Sequence, residues 1–362
     1  MNKHTKIDKL IIPRLQNMEP YSPIYPPDII AEKFGVLESD IVKLDGNENM
    51  FGSSPNVAKT LGEFKDYNIY PDPLQEKLRE SIANYVGVTA DSIIAGAGSD
   101  EIIDLLIRLF IEPGDKICQP VPTFAMYSTF NELVGGQTIS VSMDEHFDIS
   151  EEEILSAVNN GVKIVFLTSP NNPTGRLIDR NLVKKILTKD VLVIVDEAYY
   201  EFSGQTCVDL ISEHSNLVIL RTFSKWAGLA GMRIGYGVMH PKLISHLLVI
   251  KPPYNISVAA ELAVKASLDD LDLLLDRVEN IKKERDWMFN KLSEISYIEP
   301  IPSYANFILC KVDNNRAELL YKKLLSKGIL VRHYENELLK DYLRISIGSR
   351  EQNLKLLNFL SQ

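Results

Sequence analysis

Val191-Leu-Val-Ile-Val-Asp196-Glu-Ala-Tyr199 is the stretch on which the fold turns. A short apolar run with no polar alternation reads as a strand buried on both faces of a parallel or mixed sheet. The run ends on Asp196, and a buried carboxylate without a partner is costly, so an acid placed there is expected to serve a ligand. A cationic ring nitrogen would satisfy it, and the carboxylate would keep that nitrogen protonated. Tyr199, three residues on, can approach a neighbouring ring oxygen. The rival reading is a magnesium-binding acid beside a nucleotide. That reading needs a GxxxxGK[ST] loop, which the chain lacks.

Working outward, similar apolar runs occupy residues 93–95, 116–119, 163–168, 217–221 and 234–238. Residues 100–110 and 177–185 read as helices between them, giving a helix-covered α/β sheet. After about residue 260 the pattern changes. A long charged helical stretch over 260–292 precedes strand candidates at 306–311 and 342–347, with a helix near 316–325 between them, an α+β layout. The opening 44 residues contain Pro13, Pro20, Pro23, Pro26 and Pro27 and predict an extended arm with one short helix. The expected division is an arm over 1–44, a large domain over 45–260 and a small C-terminal domain over 261–362.

Composition narrows the function. The 362 residues are 45% hydrophobic and 24% charged, ordinary for a globular protein. A net charge of −10 disfavours a general nucleic-acid binder, though a few arginines in a cleft can still attract a small anion. No apolar run approaches the roughly 18 residues that span a bilayer. The basic N-terminus lacks the apolar core of a signal peptide, so cytoplasmic residence is the expectation. Cys118, Cys207 and Cys310 form no CxxC pair, and no metal site is expected.

Three further segments carry chemistry. Ala95-Gly-Ala-Gly-Ser-Asp-Glu101 follows one strand and opens a helix, where small residues let backbone N–H groups approach an anion. Ser99 reads equally well there as a simple helix cap. Ser169-Pro-Asn-Asn-Pro-Thr-Gly175 is a tight turn at a strand's C-terminal end, which sets the Asn172 amide at a cleft mouth. Arg221-Thr-Phe-Ser224-Lys225 follows another strand. A lysine desolvated there has a lowered pKa and a free amine able to attack an aldehyde. Arg233, eight positions later, can grip a phosphate with its two-pronged guanidinium.

In this order the four segments resemble fold-type I pyridoxal-phosphate enzymes of the class I/II aminotransferase family. More closely, the chain is similar to the histidinol-phosphate aminotransferases. That likeness adds Lys43-Leu-Asp-Gly-Asn-Glu-Asn49, Tyr70-Pro-Asp-Pro73, Pro122-Thr-Phe-Ala-Met-Tyr127, Lys251-Pro-Pro-Tyr-Asn255, Ala305-Asn-Phe307 and Arg344-Ile-Ser-Ile-Gly348. Met50 departs from it, standing where proline is usual. The resemblance implies an α/β fold with a mostly parallel seven-stranded sheet covered by helices, plus a smaller α+β domain, and pyridoxal 5′-phosphate as cofactor. It implies Lys225 as the Schiff-base lysine and proton shuttle, Asp196 on the ring nitrogen, and Asn172 and Tyr199 on the ring hydroxyl oxygen. Phe124 would stack on the ring. Ser99, Asp100, Ser224 and Arg233 would hold the phosphate, and Tyr70 would reach the phosphate of a partner subunit in a homodimer with shared active sites. Tyr21, Asn306, Arg332 and Arg344 would face the substrate's anionic end. The substrates implied are a small-molecule amino donor and an anionic keto acceptor. Aromatic aminotransferases and threonine-phosphate decarboxylases share the cofactor motifs, and a cofactor-sensing regulator is the reading from another class.

Overall fold

A computed structural model describes residues 6–16, 18 and 26–361. Seven strands form its main sheet: β1 (Ile93–Gly96), β2 (Lys116–Val121), β3 (Gln137–Ser142), β4 (Val162–Thr168), β5 (Leu192–Asp196), β6 (Leu217–Thr222) and β7 (Gly235–Met239). Their order across the sheet is β1-β7-β6-β5-β4-β2-β3. All neighbours run parallel except the two pairs that β7 makes. The link from β6 to β7 holds only a short 3-10 turn, Ala230–Met232, rather than a crossover helix. A parallel return needs such a crossover, so β7 comes back antiparallel.

Burial explains the apolar runs. Along β5, Val193 and Val195 join one core cluster, while Leu192 and Ile194 join the cluster on the other face. Both faces are covered, as the absence of alternation predicts. Helix Ser99–Phe110 covers the second face with Ile102, Ile103, Leu106 and Ile107, all fully buried. Each such side chain contributes roughly 1.5–3 kcal/mol of transfer free energy. The helix expected over 177–185 spans Arg180–Leu187, because Asp179 caps it by accepting from the Asn181 N–H. Strand β3 was not expected from the residues themselves. It is an edge strand in which only Val141 is buried, so Gln137, Thr138 and Ser140 mask its pattern.

The C-terminal part is a four-stranded antiparallel sheet of β8 (Ile298–Pro300), β9 (Phe307–Val312), β10 (Arg332–His333) and β11 (Tyr342–Ser346), ordered β10-β11-β9-β8. Helices Ala317–Leu325 and Arg350–Leu360 accompany it. The single helix expected over 260–292 is two, Val258–Asp269 and Leu271–Ser293. They break at Asp270, whose carboxylate accepts from the Ser54 hydroxyl. The first of the pair packs on helices Pro55–Glu63 and Glu76–Val86 of the large unit.

The end of the arm is strapped to the small unit. Val42–Lys43 pairs in parallel with Ile329–Leu330, and the Leu44 carbonyl accepts from Ser346 N–H at 2.9 Å. Gly46 and Asn47, which follow, line the same cavity as Thr168, Asp196 and Thr222 at the C-terminal ends of β4, β5 and β6. Among the described residues no helix is long and apolar enough to cross a membrane.

Candidate active site

Open α/β sheets bind ligands beyond the carboxyl ends of their strands. Here Thr168 and Asp196 are register partners at the ends of β4 and β5, and Thr222 ends β6. A cavity of about 200 Å³ opens above them. Asp196 is 5% exposed. Its Oδ2 accepts from the Tyr127 hydroxyl at 2.6 Å and its Oδ1 from Ala198 N–H at 3.0 Å. Burial nevertheless outweighs these bonds and raises its carboxyl to about 6. That is the behaviour of a buried carboxylate supplied with donors but no cation.

Lys225 lies across the cavity in the loop after β6, where its Nζ donates to the Gly46 carbonyl at 3.2 Å. Burial, then the nearby positive charges of Arg344 and Arg233, lower its pKa to about 8. At neutral pH roughly a tenth of such an amine is unprotonated, against well under a thousandth at the ordinary lysine value. Anchoring beside it comes from β5 and β6. Buried Arg221 donates through Nε and Nη2 to Glu197 Oε2 at 3.0 and 2.9 Å, which ties the residue after Asp196 to the strand before Lys225.

One end of the cavity is built for an anion. Ser99 is the first residue of helix Ser99–Phe110 rather than its cap; Gly98 occupies the cap position at φ 80°. Backbone crowding explains the glycines, since a Cβ on Gly235 would lie 2.4 Å from Ser99 N. Arg233 adopts a left-handed backbone (φ 50°), and its Nη2 donates to Asp100 Oδ2 at 3.1 Å. Ser224, held by Thr222 Oγ1 at 2.9 Å, lines the same end. Free N–H groups, a helix dipole and a guanidinium make this a site for a phosphate-like group.

At the opposite end Arg344 reaches in from β11. Its Nη1 donates to Asn172 Oδ1 at 2.6 Å and its Nη2 to the Asp45 carbonyl at 2.5 Å. Its Nε is buried with no partner among the described residues. Tyr199 is buried, its ring edge-on to Phe307 at 5.2 Å, and its hydroxyl accepts from Asn47 Nδ2 at 2.9 Å. Phe124 lines the wall, edge-on to Tyr127 at 5.6 Å. Beyond Phe124, Asn172 and Arg344 the cavity meets a larger cleft of about 770 Å³ that Arg332 also lines.

The other expected site residues lie elsewhere. Asn306 is fully buried beneath the cavity floor, its Nδ2 donating to the Asn47 carbonyl at 3.0 Å. Tyr70 is 76% exposed on the surface and stacks on Tyr254 at 4.4 Å. Tyr21 lies outside the described residues.

Residues 39–360 match the model of the family described as aminotransferase class I and II. The chain belongs to the class I and II aminotransferase family. A histidinol-phosphate aminotransferase from Roseiflexus castenholzii is 44% identical to this aminotransferase, with 98% of each chain covered. A chloroplastic histidinol-phosphate aminotransferase from Nicotiana tabacum is 43% identical over 98% of this chain and 86% of its own. The crystal structure of histidinol-phosphate aminotransferase from Sinorhizobium meliloti in complex with pyridoxal-5′-phosphate shares the fold. Its TM-score is 0.88 at 24% identity, with 97% of this chain and 96% of that one covered.

Two residues of the aminotransferase cavity carry roles that the sequence reading did not assign. Tyr127 is fully buried between Asp196 and Thr168 Oγ1, the latter 3.0 Å away. Asn47 is 1% exposed and bonded to Tyr199. Both stood in quoted motifs, but each is defined by a contact to a residue distant in the chain.

Proposed function

We propose that this chain is a pyridoxal-phosphate-dependent histidinol-phosphate aminotransferase. It would move an amino group between L-glutamate and imidazole-acetol phosphate, giving L-histidinol phosphate and 2-oxoglutarate. Relatives bearing that name, 41–44% identical over 98% of the chain, support the substrate assignment. The observation that carries the cofactor assignment is the buried Asp196 carboxylate, raised to about 6 and short of a cation, facing Lys225 across the cavity. A pyridinium nitrogen supplies that cation, so the residues present fit the group.

When bound, pyridoxal phosphate supplies an electron sink that stabilises a developing carbanion. Asp196 would keep its ring nitrogen protonated. Asn172, its Oδ1 already committed to Arg344, would offer Nδ2 to the ring hydroxyl oxygen, and Tyr199 would offer its hydroxyl. Phe124 would stack on the ring. Backbone N–H groups of Ser99 and Asp100, with Ser224 and Arg233, would hold the phosphate. The Lys225 amine would act as the base that takes and returns the proton at the substrate carbon. Arg344 and Arg332 would bind the substrate's anionic end, while Asn306, fully buried, would act only through the Asn47 carbonyl it holds.

The reading extends to a homodimer in the cytoplasm, with Tyr70 reaching the partner's phosphate. The surface around Tyr70 supports it. Ile69 and Leu74, close to it in sequence, and Tyr254, stacked on its ring, are exposed apolar residues of the kind that subunit interfaces cover. The arm over 1–44, the large domain over 45–260 and the small domain over 261–362 complete the proposed organisation.

Assayed side by side with L-glutamate, imidazole-acetol phosphate should exceed phenylpyruvate in kcat/KM by at least about 100-fold, because its phosphate offers the cavity's arginines more charge and more acceptor oxygens than a carboxylate does. Equal turnover of the two would sink the substrate assignment. Arg344→Lys should raise KM for the acceptor about 10-fold or more while affecting kcat less, since a point charge cannot replace the guanidinium fork. Steady-state kinetics with both substrates varied would measure the split.

A further inference from the structure

Asn47 uses every polar group it has, in a buried position and a backbone conformation that few residues adopt (φ 51°). Its N–H donates to Ser346 Oγ at 2.8 Å, and its Oδ1 accepts from the same hydroxyl at 2.9 Å. Its carbonyl accepts from Asn306 Nδ2 at 3.0 Å. Its Nδ2 donates to the Tyr199 hydroxyl at 2.9 Å. We infer that Asn47 is a positioning residue that aims the Tyr199 hydroxyl proton into the cavity and couples that aim to the strand carrying Arg344.

The direction follows from donor and acceptor chemistry. An amide flip would set Oδ1 against Tyr199, but Ser346 Oγ would then accept twice from Asn47 and its buried proton would have no acceptor among the described residues; the unflipped amide takes that proton on Oδ1. An amide nitrogen can only donate. Tyr199 therefore accepts from Asn47, and its own proton is left for another acceptor, on the side where Tyr199 lines the cavity. Asparagine suits the left-handed backbone here better than most residues.

The coupling comes from the strand. Arg344 and Ser346 are two residues apart on β11 and share a face. Arg344 fixes the Asn172 amide by gripping its oxygen at 2.6 Å, and Ser346 fixes Tyr199 through Asn47. One strand of the small unit thus orients both donors assigned to the ring hydroxyl oxygen. A shift of β11 when the arginine meets its anion would alter both together.

This inference rests on the cofactor reading above, and its test separates the two. The protein is loaded with pyridoxal phosphate, and two quantities are read without turnover: the cofactor dissociation constant and the pH midpoint of the bound cofactor's visible absorbance. Asn47→Asp turns an acceptor toward Tyr199 and draws its proton away from the cavity. It should weaken cofactor binding about tenfold and raise the midpoint by about one pH unit, as expected for one lost bond to an anionic oxygen. Tyr199→Phe should do the same. In the Tyr199→Phe background, Asn47→Asp should add almost nothing, since the two act through one hydroxyl. A charge effect of the new carboxylate would persist in that background and would overturn the assignment. Ser346→Ala removes both the acceptor of the Asn47 N–H and the donor to its Oδ1, which frees the amide to flip, so a smaller rise of the midpoint is expected from it. An unchanged midpoint in both Ser346→Ala and Asn47→Asp overturns the inference while leaving the cofactor reading intact. A wild-type chain that fails to take up pyridoxal phosphate overturns both.

Discussion

Lys225→Ala is expected to lower transamination by on the order of 10⁴-fold, because it would remove both roles proposed for this lysine, the covalent anchor and the base that moves the proton. The visible absorbance of the lysine-bound cofactor should vanish with it. The structure gives a reason to expect more than the loss of a charge. Burial and the neighbouring Arg344 and Arg233 hold the Lys225 pKa at about 8, so the chain keeps a usable fraction of free amine near neutrality. Cofactor uptake by the wild-type apoprotein should therefore quicken as pH rises, with its midpoint near pH 8, and level off from about pH 9, where roughly nine-tenths of the amine is deprotonated. Lys225→Arg separates the two roles. It keeps a cation in the cavity but cannot lose its proton, so it should be as inactive as the alanine variant. Stopped-flow absorbance and single-turnover kinetics would read both effects. Retained turnover in Lys225→Ala would refute the assignment of this lysine.

Several of these features were legible because they occupy the ends of apolar runs. Val191–Val195 announces a strand buried on both faces, and the acid that closes it has no structural excuse. Lys225 and Arg233 follow the same logic, on the loop that links β6 to the antiparallel β7. Strand β3 stayed hidden because an edge strand needs little apolar surface, and Gln137, Thr138 and Ser140 leave Val141 as its one buried residue. The break at Asp270 was invisible for a different reason. Its partner Ser54 lies 216 residues earlier, and nothing in the local charge pattern signals the bond. Tyr127 illustrates the same limit within the site. Its place in helix Met126–Val134 reads as ordinary amphipathic burial, yet its hydroxyl meets Asp196, 69 residues on. Sequence periodicity reports which faces are buried. It does not report which buried polar atoms find each other.

Asp196→Asn should reduce turnover by about 10²–10³-fold, the effect typical of removing one preorganised electrostatic partner from a reacting site. The same change should stabilise the cofactor-free protein, and the sign follows from linkage. Burial raises the Asp196 carboxyl from 3.8 to about 6 in the folded chain. Between those values the folded state holds a proton that the unfolded state has lost, so wild-type stability falls as pH rises through the window. The full penalty is present above about pH 6 and amounts to at most about 3 kcal/mol, two pH units at ~1.4 kcal/mol each. Asparagine carries no such charge. Its oxygen can accept from Ala198 N–H, and its amide can donate to the Tyr127 hydroxyl, which passes its own proton to Thr168 Oγ1. Thermal denaturation of the apoproteins should accordingly show no difference near pH 4 and a higher Tm for the variant at pH 7–8. Adding pyridoxal phosphate should reverse the order, because the pyridinium repays the buried carboxylate only in the wild type. A carboxylate retained for structure predicts the opposite in the apoprotein, a loss of Tm on substitution at every pH above 6. The two readings of Asp196 thus differ in sign, not only in size.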